Sequence, residues 1–598
     1  LYIAEHQFHE WWRHSAAGHI KTIPVSIMKP VRLPAAATQA LPRVALFALC
    51  LLYIVPGLIG RDPWKTDDAA GFGIMWTMAH GSLEDWLFPH IVGLPMAEKG
   101  PLAYWIGAVC IKLFGWLMGD TLAARLAPAG FFLLGSMAVW YTTYLLGRRP
   151  EAQPLKLAFG GQPEPSDYGR TLADGALLIF LGCLGLLLHS HSTSTEALQV
   201  SMVAFCLYAA TTLFEKCSMR AAALLGLSMG LLVLSRGWVV PLALWLGLLS
   251  LASFRERTIV LRLVAVTFPV AIAVASPWLI ASNIVRPFDS TPYDAWMLWN
   301  YGQLGLPSYE TLRNFFKNGI WFAWPAWPFA GWAVYAWRRQ YQAPHITIPL
   351  TFFIACALLA LFHTRSEEGV LLPMLPPLAI LAAFGLPTMK RGAINAVDWF
   401  SVMTLTTCAG FIWIGWIAKQ TGWPAQIAKN AFKLAPGFKP EFNLLAFLVA
   451  AFASIGWVLL VRWRVARRPS VLWRAVVLSS GGVILCWLLL MTLWLPWINY
   501  GKSYASVAHQ LAERLPKGKY CINTNVGPAQ RASFAYFGEV PFSQFHDADC
   551  GFLLLQDSKR GRDNIRTVQY GGSKWRVLWE GRRPSDKDER FRLFERLN

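Results

Sequence analysis

Charge is scarce in this chain. Only 15% of its 598 residues are Asp, Glu, Lys or Arg, against roughly 25% in soluble globular domains. Acidic residues are the scarcer kind: 34, against 54 Lys and Arg, a net charge of +20. Also missing are an internal repeat, a phosphate-cradling P-loop, a GxGxxG turn, a CxxC pair and an HExxH helix. Those absences speak against ATPases, dinucleotide and dithiol redox enzymes and zinc proteases. What remains is 55% hydrophobic and carries 30 tryptophans, with a mean hydropathy of +0.39. Disorder, collagen and a disulfide miniprotein are excluded by the same figures, and the composition is that of a polytopic α-helical membrane protein. A charge of +20 on a soluble chain would suggest nucleic acid. On a membrane protein it points first to the bias of Lys and Arg toward cytoplasmic loops, and no nucleic-acid partner is expected.

A crossing helix needs roughly 17–25 apolar residues. Candidates lie near 43–60, 101–118, 122–147, 172–190, 196–214, 219–235, 237–254, 258–281, 319–337, 347–363, 371–388, 399–418, 444–462 and 473–496. If all of them cross, the basic segment 148–170 falls outside while most later basic loops fall inside. The conflict disappears if 101–118 does not cross. It contains Lys112, is rich in Trp and Tyr, and follows another amphipathic stretch, 71–88; such helices suit the interface plane. About thirteen spans then remain. Every basic cluster is cytoplasmic, and the loops 61–121, 191–195, 282–318, 364–370 and 419–443 face outward, as does everything after 497.

The domain plan follows. Residues 1–42 form an N-terminal cytoplasmic segment. Within it, Met28-Lys29-Pro30 reads as the start, with 1–27 a gene-calling extension. Residues 43–497 form the transmembrane domain, with its first outer loop at 61–121. Residues 498–598 alternate helix-like and strand-like stretches (KYCINTN, CGFLLLQ, WRVLWEG) and read as a small outer α/β domain. Eight of the ten cysteines sit in or beside apolar spans, where a small buried hydrophobe is the default reading. Cys521 and Cys550 open two expected strands of the outer domain, where an oxidising compartment permits a disulfide.

With so few charges facing outward, each one is informative. Asp67 and Asp68 follow the first span, and Glu98-Lys99 sits just before the interfacial stretch. Glu196 lies in HSHSTSTEAL, Arg236 in LSRGW and Arg365 in HTRSEEG. They come from distant segments yet share one membrane face, where charge near bilayer depth is costly and marks function. Lys and Arg would satisfy phosphate oxygens. A carboxylate would act as base on an acceptor hydroxyl, or stabilise the positive character of a breaking glycosidic bond. A lipid-linked sugar donor suits such a site. The bland readings are a solvated loop acid for Asp67, a local ion pair for Glu98-Lys99, a helix N-terminal acid for Glu196 and an interfacial anchor for Arg236. His189 and His191 read as solvated loop histidines rather than metal ligands.

The segment RDPWKTDDAAGFGIMWTMAHGSLEDWLFPHIVGLPMAEKGPLAYW resembles the first periplasmic loop of the bacterial aminoarabinose lipid A transferases. These belong with the protein O-mannosyltransferases in the GT-C glycosyltransferase fold. Asp67 matches the family's catalytic aspartate and Asp68 replaces its usual Glu. Asp85-Trp86 and Pro89 match the middle block. Glu98-Lys99 matches the Glu-Lys pair, with Gly100 in place of the first Pro, and Tyr104 and Trp105 complete the match. HSTSTEAL, LSRGW, ASPWLIA and GVLLPMLPPLAIL are looser likenesses to later blocks, and Val370 replaces a Tyr that contacts the lipid phosphate in the family.

The resemblance implies a GT-C bundle with a periplasmic site in the bacterial inner membrane. It implies an undecaprenyl-phosphate-linked sugar donor and attack with inversion at the sugar carbon. The acceptor would be lipid A, with another glycan, lipid or protein as the alternative. Asp67 would be the main catalytic carboxylate and Glu196 would assist. Lys99 and Arg236 would hold the carrier phosphate, with Arg365 a weaker candidate, and Asp68 and Tyr104 would line the substrate site. Some relatives bind a divalent metal near the position of Glu98; no cofactor is otherwise implied. Membrane lipids are the remaining partners. A transporter or lipid flippase is the alternative of a different class, but transporters tend to place charges at the bilayer midplane in repeated halves, and neither is seen here.

Overall fold

A computed structural model of the chain describes residues 30–96, 99–156, 160–285, 292–364, 367–466, 472–516, 518, 520–543, 550–558, 567–570, 573–586 and 588–597. Residues 1–27, Glu98 and Arg365 lie outside the described residues, so the expectations for them stand as stated.

Long apolar runs leave the backbone no polar partner but itself, and helices result. Among the described residues nine helices are long and apolar enough to cross a membrane, from Ala35–Ile54 to Leu444–Arg464. Val477–Leu493 and Leu495–Lys502, bent by 73°, make a tenth if taken as one span. Pro496 explains the bend, since it has no N–H to donate and its ring clashes with the preceding turn. The other three expected spans are short or interrupted. The stretch 172–190 breaks at Cys183 into Pro165–Gly182 and Leu184–His189. The stretch 319–337 breaks at Pro325 into Tyr309–Phe322 and Ala326–Ala336. Val239–Ser253 has only 15 residues. The bundle's core runs through Thr195–Lys216 and Leu375–Gly385, whose side chains are almost all buried. A single buried acid, Asp174, ties the entry segment to this core by accepting from the Leu41 N–H at 2.8 Å and the Trp140 indole at 2.9 Å.

The segment 61–121 is built on the helices Asp67–His80 and Leu102–Met118. Tyr104, Ala108 and Ile111 of the second pack with Ile74, Met75 and Met78 of the first. The opposite side of Leu102–Met118 is apolar and exposed, at Leu113, Trp116 and Leu117. The stretch 71–88, expected in the interface plane, is placed differently. Helix Asp67–His80 is buried over most of its length, because the C-terminal domain sits on it. A short hairpin, β1 (His90–Ile91) and β2 (Leu94–Pro95), follows.

The C-terminal domain is the small α/β unit expected. Its strands are β3 (Ile522–Thr524), β4 (Phe552–Ser558), β5 (Thr567–Tyr570), β6 (Ser573–Gly581) and β7 (Glu589–Leu597). They form one sheet in the order β3-β4-β7-β6-β5, parallel between β3 and β4 and antiparallel elsewhere. Side chains alternate along the strands. Phe591 and Leu593 face helices Ala505–Ala512 and Pro528–Phe537, while Phe594 joins Leu553, Leu555 and Trp575 in a separate cluster. Cys521 and Cys550, at the starts of the neighbouring strands β3 and β4, are joined by a disulfide with 5.2 Å between their Cα atoms.

Helix Pro528–Phe537 docks this domain onto the first loop. The Arg531 guanidinium donates to the carbonyls of Ile91 and Val92 at 3.1 and 2.6 Å. The Tyr536 ring meets Phe72 edge-on at 4.9 Å. The C-terminal domain therefore supports the helix whose first residue is Asp67.

Candidate functional site

Five charged side chains of alternating sign form a row at the loop end of the bundle. Asp67 Oδ1 lies 3.4 Å from Lys99 Nζ, and Lys99 Nζ lies 3.4 Å from Glu196 Oε1. The same Glu196 oxygen is 3.1 Å from Arg236 Nη1, and Arg236 Nη2 is 3.6 Å from Glu367. Gln199 adds a hydrogen bond at 3.4 Å, accepting from Arg236. The row is buried in its middle and open at both ends. Glu196 and Arg236 have side chains only 6% and 4% exposed, while that of Asp67 is 67% exposed. Buried charge on this scale survives only when paired, and each buried member here has a partner of opposite sign.

Local structure explains the row. Asp67 and Glu196 each sit in the first turn of a helix, and Arg236 ends one; all three positions are favoured by the helix dipole. Thr66, just before Asp67, has φ +74°, a conformation that strains a β-branched residue by about 1–3 kcal/mol and turns the chain sharply into the helix. Gly100 accounts for the placement of Lys99 beside Arg236. A Cβ at position 100 would overlap the Leu234 carbonyl, so only glycine lets the loop press against the end of that helix. Burial by itself would lower the affinity of Lys99 for its proton, but Glu196, Tyr104 and Asp67 outweigh it and raise its pKa above the ordinary lysine value. Lys99 is thus a fixed cation.

The row borders a cleft of about 320 Å³ lined by Asp67, Ser192, Glu196, Glu368, Lys65 and Lys502, among others. Tyr104 is buried within the apolar cluster of the first loop, close enough to Lys99 to act on it electrostatically. Asp68 faces inward. One of its carboxylate oxygens is 2.9 Å from Arg61 and 3.3 Å from Arg125, and accepts from the Trp64 N–H at 3.1 Å. The other accepts from the Thr193 N–H and hydroxyl at 2.9 and 3.0 Å. Burial alone would raise its pKa, but the two arginines and the backbone donors bring it down to about 2. Arg125 also donates to the carbonyls of Arg61 and Asp62. Asp68 therefore ties the first loop to the 191–195 loop, beneath the row that carries Asp67 and Glu196.

His191 is fully buried rather than solvated. Its ring nitrogens lie 2.7 Å from the Leu187 carbonyl and 3.1 Å from the Tyr53 carbonyl. Among the described residues no group of three or more His, Cys, Asp or Glu side chains is placed to hold a metal, and no step below passes through one. Sequence reasoning did not single out Arg61, Arg125, Glu367 or Gly369. Arg125 carries a signal in retrospect: it is the one charge inside the apolar run 122–147, and such charges default to function.

No family model matches the chain. Curated relatives do. An undecaprenyl phosphate-α-4-amino-4-deoxy-L-arabinose arabinosyl transferase of Pseudomonas savastanoi is 24% identical over 359 residues, covering 56% of this chain and 60% of that protein. The enzyme of the same name from Pseudomonas aeruginosa LESB58 is 25% identical over 464 residues, covering 73% of each. The crystal structure of ArnT from Cupriavidus metallidurans bound to undecaprenyl phosphate superposes with a TM-score of 0.64 at 15% identity, covering 92% of this chain and 97% of that one. The chain has the GT-C fold. The likeness in fold covers far more of the chain than the 61–105 segment that carried the resemblance. Its apolar helices make it a multi-pass membrane protein.

Proposed function

We propose that this protein is an inner-membrane glycosyltransferase that moves a sugar, of the aminoarabinose type, from an undecaprenyl-phosphate carrier to a phosphate of lipid A at the periplasmic face. The observation that carries this reading is a single buried carboxylate, Glu196, holding two cations, Lys99 from a loop and Arg236 from the end of a helix. The names of the relatives supply the donor and its sugar.

The chemistry follows from the row. Lys99 and Arg236 bind the carrier phosphate by charge-assisted hydrogen bonds and stabilise it as it leaves. Glu196 sets their spacing. Asp67, at one open end, faces the sugar and stabilises the positive character that develops at its anomeric carbon. An acceptor phosphate oxygen attacks that carbon from the opposite side, inverting it. The bond from carbon to carrier phosphate breaks, and its electron pair stays on the carrier. A phosphate dianion is already nucleophilic, so positioning matters more than deprotonation. Tyr104 and the Asp68 anchor hold the loop that presents Lys99 and Asp67, and the periplasmic orientation agrees with the basic cytoplasmic loops.

The test is product analysis. Purified protein incubated with the undecaprenyl-phosphate sugar and lipid A is expected to yield lipid A heavier by one sugar per carrier released, read by mass spectrometry. No modified acceptor, together with translocation of the donor in liposomes, would replace this reading with a flippase.

A second expectation concerns Gly369. A Cβ there would stand 2.9 Å from Glu196 Cγ and push that carboxylate off its cations. Gly369→Ala is expected to lower the transfer rate about tenfold or more, a loss of about 1.4 kcal/mol, without changing the folded yield. The shorter acid of a Glu196→Asp/Gly369→Ala double variant should recover part of it. An unaffected rate in Gly369→Ala would mean that Glu196 has room to move.

A further inference from the structure

The cleft beside the row has a basic element of its own, separate from Lys99 and Arg236. Lys65 and Lys502 both line it, beside Arg61. Arg61 is committed to Asp68. Lys99 and Arg236 hold carboxylates at 3.1–3.6 Å. Among the described residues, no carboxylate forms an ion pair with Lys65 or Lys502; Asp586 and Asp68 act on them only from longer range.

The two residues are tied together through the backbone. The Lys65 N–H donates to the Lys502 carbonyl at 3.0 Å. The Lys502 ammonium lies 4.9 Å from the centre of the Trp64 ring, and the Arg61 guanidinium lies 3.9 Å from the same ring. Trp64 is buried, and its indole N–H donates to Asn499 at 2.9 Å. Asn499 in turn donates to the Gly60 carbonyl at 2.8 Å. A lysine ending a helix needs no ligand to explain it, but here two lysines from segments far apart in the chain are held together beside an arginine. Gathering like charge costs free energy that a bound anion recovers.

We infer that Lys65 and Lys502 form a second phosphate subsite, which takes the phosphate monoester of the acceptor lipid. The inference rests on the transferase reading. It gives the leaving phosphate a site at Lys99 and Arg236 and the attacking one a site in the cleft that the row borders. The step balances without a base. A lipid phosphate dianion and a carrier phosphodiester monoanion become a sugar-capped phosphodiester monoanion and a carrier phosphate dianion. The sugar carbon gains one C–O bond and loses one, and no proton moves. The negative charge that Lys65 and Lys502 meet falls as the reaction proceeds, so they hold the substrate more tightly than the product.

The experiment is steady-state transfer by the intact protein in nanodiscs, with donor and phosphorylated lipid A varied separately. Lys65→Ala/Lys502→Ala is expected to raise KM for the acceptor at least tenfold and to leave KM for the donor within twofold. Lys65→Arg/Lys502→Arg should stay near wild type. Inorganic phosphate should compete with the acceptor in wild type and lose that competition in the alanine double variant. An acceptor KM that does not change in the double variant, or one that changes together with the donor KM, overturns the inference and leaves the transferase reading standing. Sugar phosphate formed from inorganic phosphate as readily as from lipid would also overturn it, because the subsite would then not select the lipid's phosphate as acceptor. Failure of wild type to modify any phosphorylated lipid overturns the transferase reading itself.

Discussion

Asp67→Asn is expected to reduce sugar transfer about a thousandfold while leaving the protein as stable as wild type. The substitution keeps the shape of the side chain and removes its charge. At a carbon that turns positive in the transition state, a fixed carboxylate contributes about 4 kcal/mol. The stability of the folded chain should be unaffected within about 0.5 kcal/mol, because the Asp67 side chain is 67% exposed and its only ion pair among the described residues is the 3.4 Å contact with Lys99. The measurement is the initial rate of lipid A modification beside a thermal melt in the same detergent. Transfer at the wild-type rate would remove Asp67 from the chemistry.

The adjacent residue should behave in the opposite way. Asp68→Ala leaves Arg61 and Arg125, 3% and 1% exposed, without their shared carboxylate. Breaking a buried pair from one side costs about 3–5 kcal/mol. The expected result is a large drop in thermal stability, with activity falling only as folded protein is lost. Removing one of the stranded charges as well, in Asp68→Ala/Arg125→Met, should cost less than the sum of the single changes. The pH dependence has a definite sign. The folded pKa of Asp68, about 2, lies below the unfolded value of about 3.9. Its stabilisation is therefore complete above pH ~4 and is lost as the pH falls toward 2; the Ala variant should lack that segment of the acid-unfolding curve. A variant as stable as wild type would show that the Arg61–Asp68–Arg125 cluster does not hold the loops together.

These two aspartates show what could be read from sequence. DD after an apolar run marked both as candidates, but nothing in the pair says which one stays exposed and which one is buried between arginines. That depends on helix phase and on where Arg125 and Thr193 arrive, from more than 50 residues away in the chain. The row itself was legible because charge is so scarce: Asp67, Lys99, Glu196 and Arg236 were named from their loops, and the fold brings all four together. Gly100 looked like a departure from the family motif and proves to be a close contact with the Leu234 carbonyl, which no local pattern encodes. The span count was less legible. Hydropathy sees apolar length and misses the breaks at Cys183 and Pro325. Stretch 71–88 was misplaced for a related reason. Its apolar face is covered by Tyr536 and Ala532 of the C-terminal domain rather than by lipid, and amphipathicity alone does not say what covers a face.

The central claim is that Lys99 and Arg236, held by Glu196, form the seat of the carrier phosphate. Equilibrium binding of undecaprenyl phosphate to wild type, Lys99→Met and Arg236→Met tests it most directly, each protein being checked for an unchanged melting profile. The affinity is expected to fall about tenfold or more in each variant, since a charge-assisted hydrogen bond contributes about 1.5–3 kcal/mol. Undecaprenyl phosphate bound equally well by all three proteins would contradict the account.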